Sequence, residues 1–225
     1  MLNFATDPAL LQPLVPPGTE LDFFEGSTYL SVVGFRFLQT RVLGIGFPFH
    51  RDFDEVNLRF YVRRKSGVGW RRGVVFVREM VPRQAIAFIA RTVYGEPYIA
   101  RPMRHSLQLS ESRICVSYSW KRAGRWESLE IKAAGQPQPI AAGSEEEFIT
   151  EHYWGYTGRR GVTSEFAVEH PRWNVWKGEE SRLDADVAAL YGGQFVESLS
   201  APPSSAFIAE GSSILVRQRS LLLSS

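Results

Sequence analysis

The sequence has few of the residues that would place it outside a reducing compartment or in a membrane. Of its 225 residues only Cys115 is a cysteine, so an intramolecular disulfide is impossible. No apolar run reaches the ~18 residues of a membrane span, and no secretory signal opens the chain. We therefore expect a cytoplasmic protein with no membrane partner.

An excess of charge of either sign is also missing. The chain has 26 Lys and Arg against 24 Asp and Glu, a formal net charge of +2. Proteins that bind nucleic acid by electrostatic attraction carry a marked basic excess, so the sequence predicts no nucleic-acid partner. The basic runs 63–65 and 71–72 flank a glycine-containing turn, as is usual at the solvated tip of a hairpin.

The familiar catalytic and cofactor motifs are absent. The sequence has no phosphate-binding loop, no dinucleotide glycine fingerprint and no nucleophile elbow. A single cysteine rules out a thiolate zinc site, and the four histidines lack the i, i+4 spacing of a helical zinc site. We predict neither a cofactor nor a metal, and a metal bound by His105 or His152 is only a third alternative.

Strand patterns fill much of the chain. Aromatic residues, which strands favour, are plentiful at 15 Phe, 8 Tyr and 6 Trp. The first pattern begins at Glu20, and the strongest are Val56–Arg64 and Gly73–Val81, whose alternating residues predict one long hairpin. A further single strand is predicted over Ile99–Ser110.

Helix patterns are fewer. Three longer ones are predicted over Pro82–Tyr94, Ser144–Trp154 and Glu180–Tyr191, and a short one follows Asp7. About ten strands without a strand–helix alternation favour a mainly β fold of the α+β class. We predict one domain, residues 1–225: an antiparallel, barrel-like sheet with about three packed helices.

A charged pair, Arg78-Glu79, lies in the middle of the apolar strand Gly73–Val81. Because strand side chains alternate, Glu79 is expected to share a face with Val75, Val77 and Val81, and Arg78 to point the other way. A carboxylate among branched apolar side chains needs a cationic or hydrogen-bonding partner. Glu79 is therefore the first candidate for an interior polar site.

Other polar residues lie in apolar surroundings and extend this candidate site. We predict that Glu55, Glu79 and Tyr98 are catalytic. The predicted ligand-binding residues are Arg59, Arg78, Glu96, Arg104, His105 and His152. A structural alternative stays open, because opposite charges on neighbouring strands often pair without any function.

Several segments in order resemble a bacterial family known as domain of unknown function 2071. The segments are Phe4-Ala-Thr-Asp-Pro8, Glu55-Val-Asn-Leu-Arg59, Arg78-Glu-Met-Val-Pro-Arg83, Tyr94-Gly-Glu-Pro-Tyr98, Met103-Arg-His105 and Glu151-His-Tyr-Trp-Gly-Tyr-Thr157. The resemblance covers almost the whole chain. This family is similar in turn to acetoacetate decarboxylase, and that similarity implies a β-barrel type of fold with a central pocket.

The decarboxylase activates its substrate through a lysine whose pKa a neighbouring lysine lowers. At the two matching positions this sequence has Tyr98 and Ile99, so the resemblance does not imply imine chemistry. We expect instead an interior pocket that binds a small anionic or carbonyl-bearing metabolite, with lyase-like acid–base chemistry. The alternative is a non-catalytic ligand-binding or structural module, and a homo-oligomer is left open.

Overall fold

The computed structural model describes residues 1–38, 52–67, 69–84, 97–159 and 161–222. Most of the helix expected over 82–94, and Glu96, lie outside the described residues. The strands are β1 (Leu2–Thr6), β2 (Glu20–Leu21), β3 (Thr28–Phe37), β4 (Phe53–Ser66), β5 (Gly69–Val81), β6 (Tyr98–Ala100), β7 (Met103–Leu109), β8 (Arg113–Arg122), β9 (Arg125–Ala134), β10 (Gln138–Pro139), β11 (Trp154–Arg159), β12 (Val162–Glu169), β13 (Asn174–Asp184), β14 (Ser205–Ala209), β15 (Leu215–Val216) and β16 (Ser220–Leu222). The helices are α1 (Pro8–Leu11), α2 (Glu145–Thr150), α3 (Val187–Tyr191) and α4 (Val196–Ser200), with 3₁₀ turns at Gln12–Leu14 and Gly193–Phe195.

One mixed sheet holds the strands together. Its path is β15-β12-β11-β5-β4-β3-β1-β14-β13-β9-β8-β7, and β2, β6, β10 and β16 pair at its sides. Pairing is antiparallel except where β5 runs parallel to β6 and β11. The mainly β sheet with packed helices is confirmed, although it is not antiparallel throughout and β15 and β7 are not paired with each other in the described part of the chain.

The sheet curls, so that its β7–β8 end lies over β3 and β4. A Cβ on Gly34 of β3 would lie 2.5 Å from Cδ2 of Tyr118 on β8. Nδ1 of His105, on β7, lies 2.8 Å from Oδ1 of Asp54, on β4. The curl covers the face of β4 that carries Val56 and Leu58, where Trp120 of β8 joins the same apolar core.

The two faces of the sheet bury different kinds of side chain. The main apolar core lies on the face of Val56, Leu58, Phe60 and Val62, where residues of α3 and α4 pack against it. A smaller, more aromatic cluster lies on the other face, where Phe148 of α2 packs beside Tyr61 and Tyr29. None of the helices in the described ranges has the length and apolar character that a bilayer span requires.

Several elements differ from the predicted ones. Strand β1 was not expected, and the strand expected over Ile99–Ser110 is divided into β6 and β7. The helix expected over Glu180–Tyr191 is wrong in its first half: residues up to Asp184 belong to β13, which pairs with β9. Cross-strand pairing there outweighs the helical spacing of its leucines, because burial against β9 depends on distant residues.

The capping box at α2 is confirmed. Ser144 Oγ accepts from the backbone N–H of Glu147 at 3.2 Å, and the Glu147 carboxylate accepts from the N–H of Gly143 at 2.6 Å. The helix ends at Thr150 rather than Trp154, because Trp154 pairs in parallel with Gly73 of β5.

Gly73→Ala is expected to lower the free energy of unfolding by about 1–3 kcal/mol, the usual cost of overpacking. An added Cβ would lie 2.6 Å from both the Trp154 carbonyl oxygen and Cε2 of Tyr156, and the backbone oxygen cannot move aside alone. Denaturant titration measures the loss. Gly67→Ala is the control, since nothing lies within 4 Å of its added Cβ; equal stability of the two variants would contradict the prediction.

Candidate functional site

Strand β4 has a polar face that is buried. Glu55, Asn57, Arg59 and Tyr61 alternate with the apolar core residues, and Glu55, Asn57 and Tyr61 are each 1% exposed. An alternating strand at the surface of an antiparallel sheet usually turns its polar residues to water. Here they are enclosed instead, so their hydrogen-bonding groups depend on partners inside the protein or on a ligand.

Neighbouring strands bring two further polar residues to this face. Glu79 of β5 pairs in register with Asn57 on one side and with Tyr98 of β6 on the other. Glu79 is also only 1% exposed. We call the buried polar face the set Glu55, Asn57, Arg59, Tyr61, Glu79 and Tyr98.

Glu55 is a carboxyl group of this face with a strongly shifted pKa. Its two oxygens accept from Asn57 Nδ2 and from the Tyr98 hydroxyl, each at 3.0 Å. Burial raises the pKa of Glu55 to about 7, although both hydrogen bonds and the positive charge of Arg59 act in the opposite direction. A carboxyl group with this pKa exchanges its proton near neutral pH, which suits an acid–base role.

A β-bulge changes the neighbours that the sequence predicts for Glu79. Leu58 pairs with Arg78, but Arg59 pairs with Phe76, so Val77 is the extra residue. Val75 and Val77 therefore pack with the main apolar core, on the face opposite Glu79. The prediction that Glu79 shares a face with these two valines is wrong, because simple alternation fails across a bulge.

Arg78 lies on the face away from Glu79, as alternation predicts. Its Nε donates to the carbonyl oxygen of Leu190, in α3, at 3.3 Å. A guanidinium at the carboxyl end of a helix satisfies an otherwise unpaired carbonyl and complements the helix dipole. The structure thus places Arg78 at a helix end, apart from the buried polar face.

Arg59 is on the buried polar face, beside the α2 end of it. One η nitrogen donates to the Ile149 carbonyl oxygen at 3.3 Å and lies 3.6 Å from the Met1 sulfur. Its Nε is buried and has no hydrogen-bond partner among the described residues. The same is true of Asn57 Oδ1. Unpaired buried donors and acceptors cost free energy, so these atoms mark a place for a further partner.

His152 follows α2 and lies at the same end of the face. Its Nε2 is 3.1 Å from Oδ2 of Asp22, which also accepts from Arg72 Nε at 2.7 Å. The imidazole contacts the rings of Tyr61 and Phe148, at 4.7 and 5.0 Å between centroids. Asp22 was not predicted, although a lone acid among Leu21, Phe23 and Phe24 is the same kind of signal as Glu79.

Two other predicted residues, His105 and Arg104, are not brought to this face. His105 bonds to Asp54, whose side chain points away from its neighbour Glu55 on β4. Arg104 is exposed and stacks on Trp126, with 4.2 Å from Cζ to the ring centroid. Glu96 lies outside the described residues.

A surface cleft of about 260 Å³ lies elsewhere, and its lining includes Tyr153, Trp154 and His170. None of the residues of the buried polar face lines it. In the described part of the chain, no three histidine, cysteine or acidic side chains are grouped as a metal site would require.

Comparison with known proteins places this chain in a family. Residues 1–213 match the model of DUF2071, which is described as an uncharacterized conserved protein. The uncharacterized protein YqjF of Bacillus subtilis (strain 168) is 27% identical over 183 residues, covering 79% of this chain and 72% of YqjF.

Solved structures with the same fold are enzymes of low sequence identity. An acetoacetate decarboxylase-like enzyme from Sphingomonas wittichii RW1 superposes with a TM-score of 0.62 at 16% identity, over 100% of this chain and 90% of that one. The enduracididine biosynthesis enzyme MppR, complexed with pyruvate, gives a TM-score of 0.61 at 12% identity, over 98% and 84%. At these identities the likeness establishes the fold.

Proposed function

We propose that this chain, which belongs to the DUF2071 family, binds a small anionic or carbonyl-bearing metabolite at the buried polar face. It would perform acid–base chemistry there without an imine-forming lysine. The observation that carries the proposal is the Glu55 carboxyl group, which is enclosed with Asn57, Glu79 and Tyr98 and has a pKa raised to about 7.

Three residues of the face, Glu55, Tyr98 and Arg59, have a chemical role in this proposal. Protonated Glu55 donates to a carbonyl or carboxylate oxygen of the ligand and takes the proton back, while the Tyr98 hydroxyl holds the carboxyl in place. Arg59 supplies the positive charge that a ligand carboxylate needs. The pyruvate bound by MppR is a carboxylate beside a carbonyl, and it supports this class of ligand.

The test is a set of short carboxylic and 2-oxo acids, pyruvate included, scored by the rise in melting temperature and by calorimetric affinity. Glu79→Gln is expected to abolish the ligand-dependent rise, with an affinity loss of about tenfold or more, because it changes the hydrogen-bonding group beside Asn57 and Tyr98 on the buried polar face. Glu20→Gln is the matched control, because Glu20 forms an exposed pair with Arg63. An unchanged ligand response in Glu79→Gln would count against the proposal.

The rival function is a non-catalytic binding or structural module. Glu79 pairs in register with both Asn57 and Tyr98, so its buried side chain also suits a role in fixing strand alignment. In that case Glu79→Met, made together with Arg59→Met, would fold with equal or higher stability. If Glu79→Gln folds normally but its melting temperature no longer rises with ligand, the result favours the ligand-binding pocket over the structural role.

A further inference from the structure

The residues around His152 determine the protonation state of its Nε2. Asp22 accepts from Arg72 and lies 3.1 Å from His152 Nε2. Burial opposes ionisation of Asp22, but the hydrogen bond from His152 and the hydrogen bond and charge of Arg72 outweigh it and hold its pKa below the usual value. An ionised carboxylate only accepts hydrogen bonds, so Nε2 of His152 carries a proton.

The other nitrogen of His152 is therefore a bare acceptor. Burial, followed by the charges of Arg72 and Arg59, lowers the pKa of His152 to about 4 against the opposing effect of Asp22. A neutral imidazole has one proton, and Nε2 holds it. Nδ1 thus presents a lone pair that is buried and has no hydrogen-bond partner in the described ranges.

Arg59 offers the complementary donor at the same end of the buried polar face. Its Nε–H is buried and unpartnered within the described residues, and its Cζ lies 5.7 Å from the centroid of the Tyr61 ring. The His152 ring contacts the same tyrosine, at 4.7 Å between centroids. On β4 Arg59 lies between Asn57 and Tyr61, and its charge lowers the pKa of both His152 and Glu55.

We infer that this donor and acceptor recognise a hydroxyl group, whose oxygen accepts from Arg59 Nε and whose hydrogen is donated to His152 Nδ1. A hydroxyl is the simplest organic group that does both. The inference rests on the proposed function and narrows its ligand to a small hydroxy acid, with the carboxylate near Arg59. His152 is then a specificity residue, and Asp22 a positioning residue that fixes its tautomer.

Matched pairs of acids that differ only by a hydroxyl test this inference. We expect lactate and 3-hydroxybutyrate to bind the wild-type protein at least about tenfold more tightly than propionate and butyrate, because a site built for a hydroxyl rejects an analogue without one. In His152→Phe, whose ring suits the aromatic surroundings, the preference should fall below about twofold. His170→Phe is the control, because His170 stacks on Trp173 and lies in the surface cleft, apart from the buried polar face.

A second readout needs no variant. In the ¹⁵N-labelled wild-type protein, the Nδ1 resonance of His152 should shift on addition of 3-hydroxybutyrate and not of butyrate. Equal affinity for the two acids of each pair, or a preference that survives in His152→Phe, would overturn the inference and leave the proposed pocket intact. If no acid of either pair binds and none of the oxo acids does, the proposed function fails and the inference with it.

Discussion

At pH 8 the Glu55→Gln variant is expected to be more stable than the wild-type protein by about 3 kcal/mol, whereas near pH 4.5 the two should be almost equally stable. The difference follows from the raised pKa of Glu55, about 7 in the fold against a reference of 4.5, which converts to about 3 kcal/mol. Glutamine keeps the shape and stays neutral at every pH, so it avoids burying a charge.

The direction of this effect follows from proton binding. Between pH 4.5 and 7 the folded protein holds the Glu55 proton while the unfolded chain has lost it, so this group lowers stability as pH rises. His152 acts in the opposite sense, because its pKa of about 4 lies below the reference of 6.5 and its contribution is lost as pH falls. The two slopes partly cancel in the wild-type protein, and Glu55→Gln exposes the histidine slope.

Urea titrations between pH 4.5 and 8 measure this difference. Glu169→Gln is the matched control, because Glu169 is exposed, pairs with Arg217 and has a lowered pKa, so its removal cannot stabilise the protein at high pH. A Glu55→Gln variant that is less stable than the wild type at pH 8 would mean that Glu55 is ionised and well paired in the fold. That result would also remove the proton donor from the proposed function.

The identity of the site could be predicted from sequence only in part. A charge inside an apolar strand is a local signal, and it correctly predicts that Glu79 is buried. The bulge at Val77 is not visible in the alternation of residues, so the neighbours assigned to Glu79 are wrong on one side. One extra residue in a strand exchanges faces for every residue beyond it.

The alternation in β4 predicts a strand but not which of its faces is enclosed. Glu55, Asn57 and Arg59 have the spacing of an ordinary solvated face, and their burial depends on strands and a helix that are far away in the chain. The contact between His152 and Asp22 joins residues 130 positions apart. Such pairings come from topology, and a single sequence contains no local signal for them.

Asp22→Ala is expected to lower the free energy of unfolding by about 3 kcal/mol, since it removes one partner from a buried charged network. Arg72 and His152 lose their shared acceptor, and the His152 side chain, 1% exposed, cannot turn to water for a replacement. The estimate is at the low end of the usual range because the Arg72 side chain is 35% exposed and can be solvated. Asp22→Asn, whose amide oxygen still accepts from Nε2, should lose clearly less.

The matched control, Glu180→Ala, distinguishes the effect of burying an ion pair from the effect of the ion pair alone. Lys132 and Glu180 lie at 2.7 Å, the same nitrogen–oxygen distance as Arg72 and Asp22, but their side chains are 50% and 70% exposed. Glu180→Ala should therefore change stability little, because exposed pairs contribute little. Imidazole NMR of Asp22→Ala should also show that Nε2 no longer holds the proton exclusively, since no carboxylate selects that tautomer. If Asp22→Ala is as stable as Glu180→Ala and keeps the Nε2–H tautomer, Asp22 does not orient His152, and hydroxyl recognition at Nδ1 loses its structural basis.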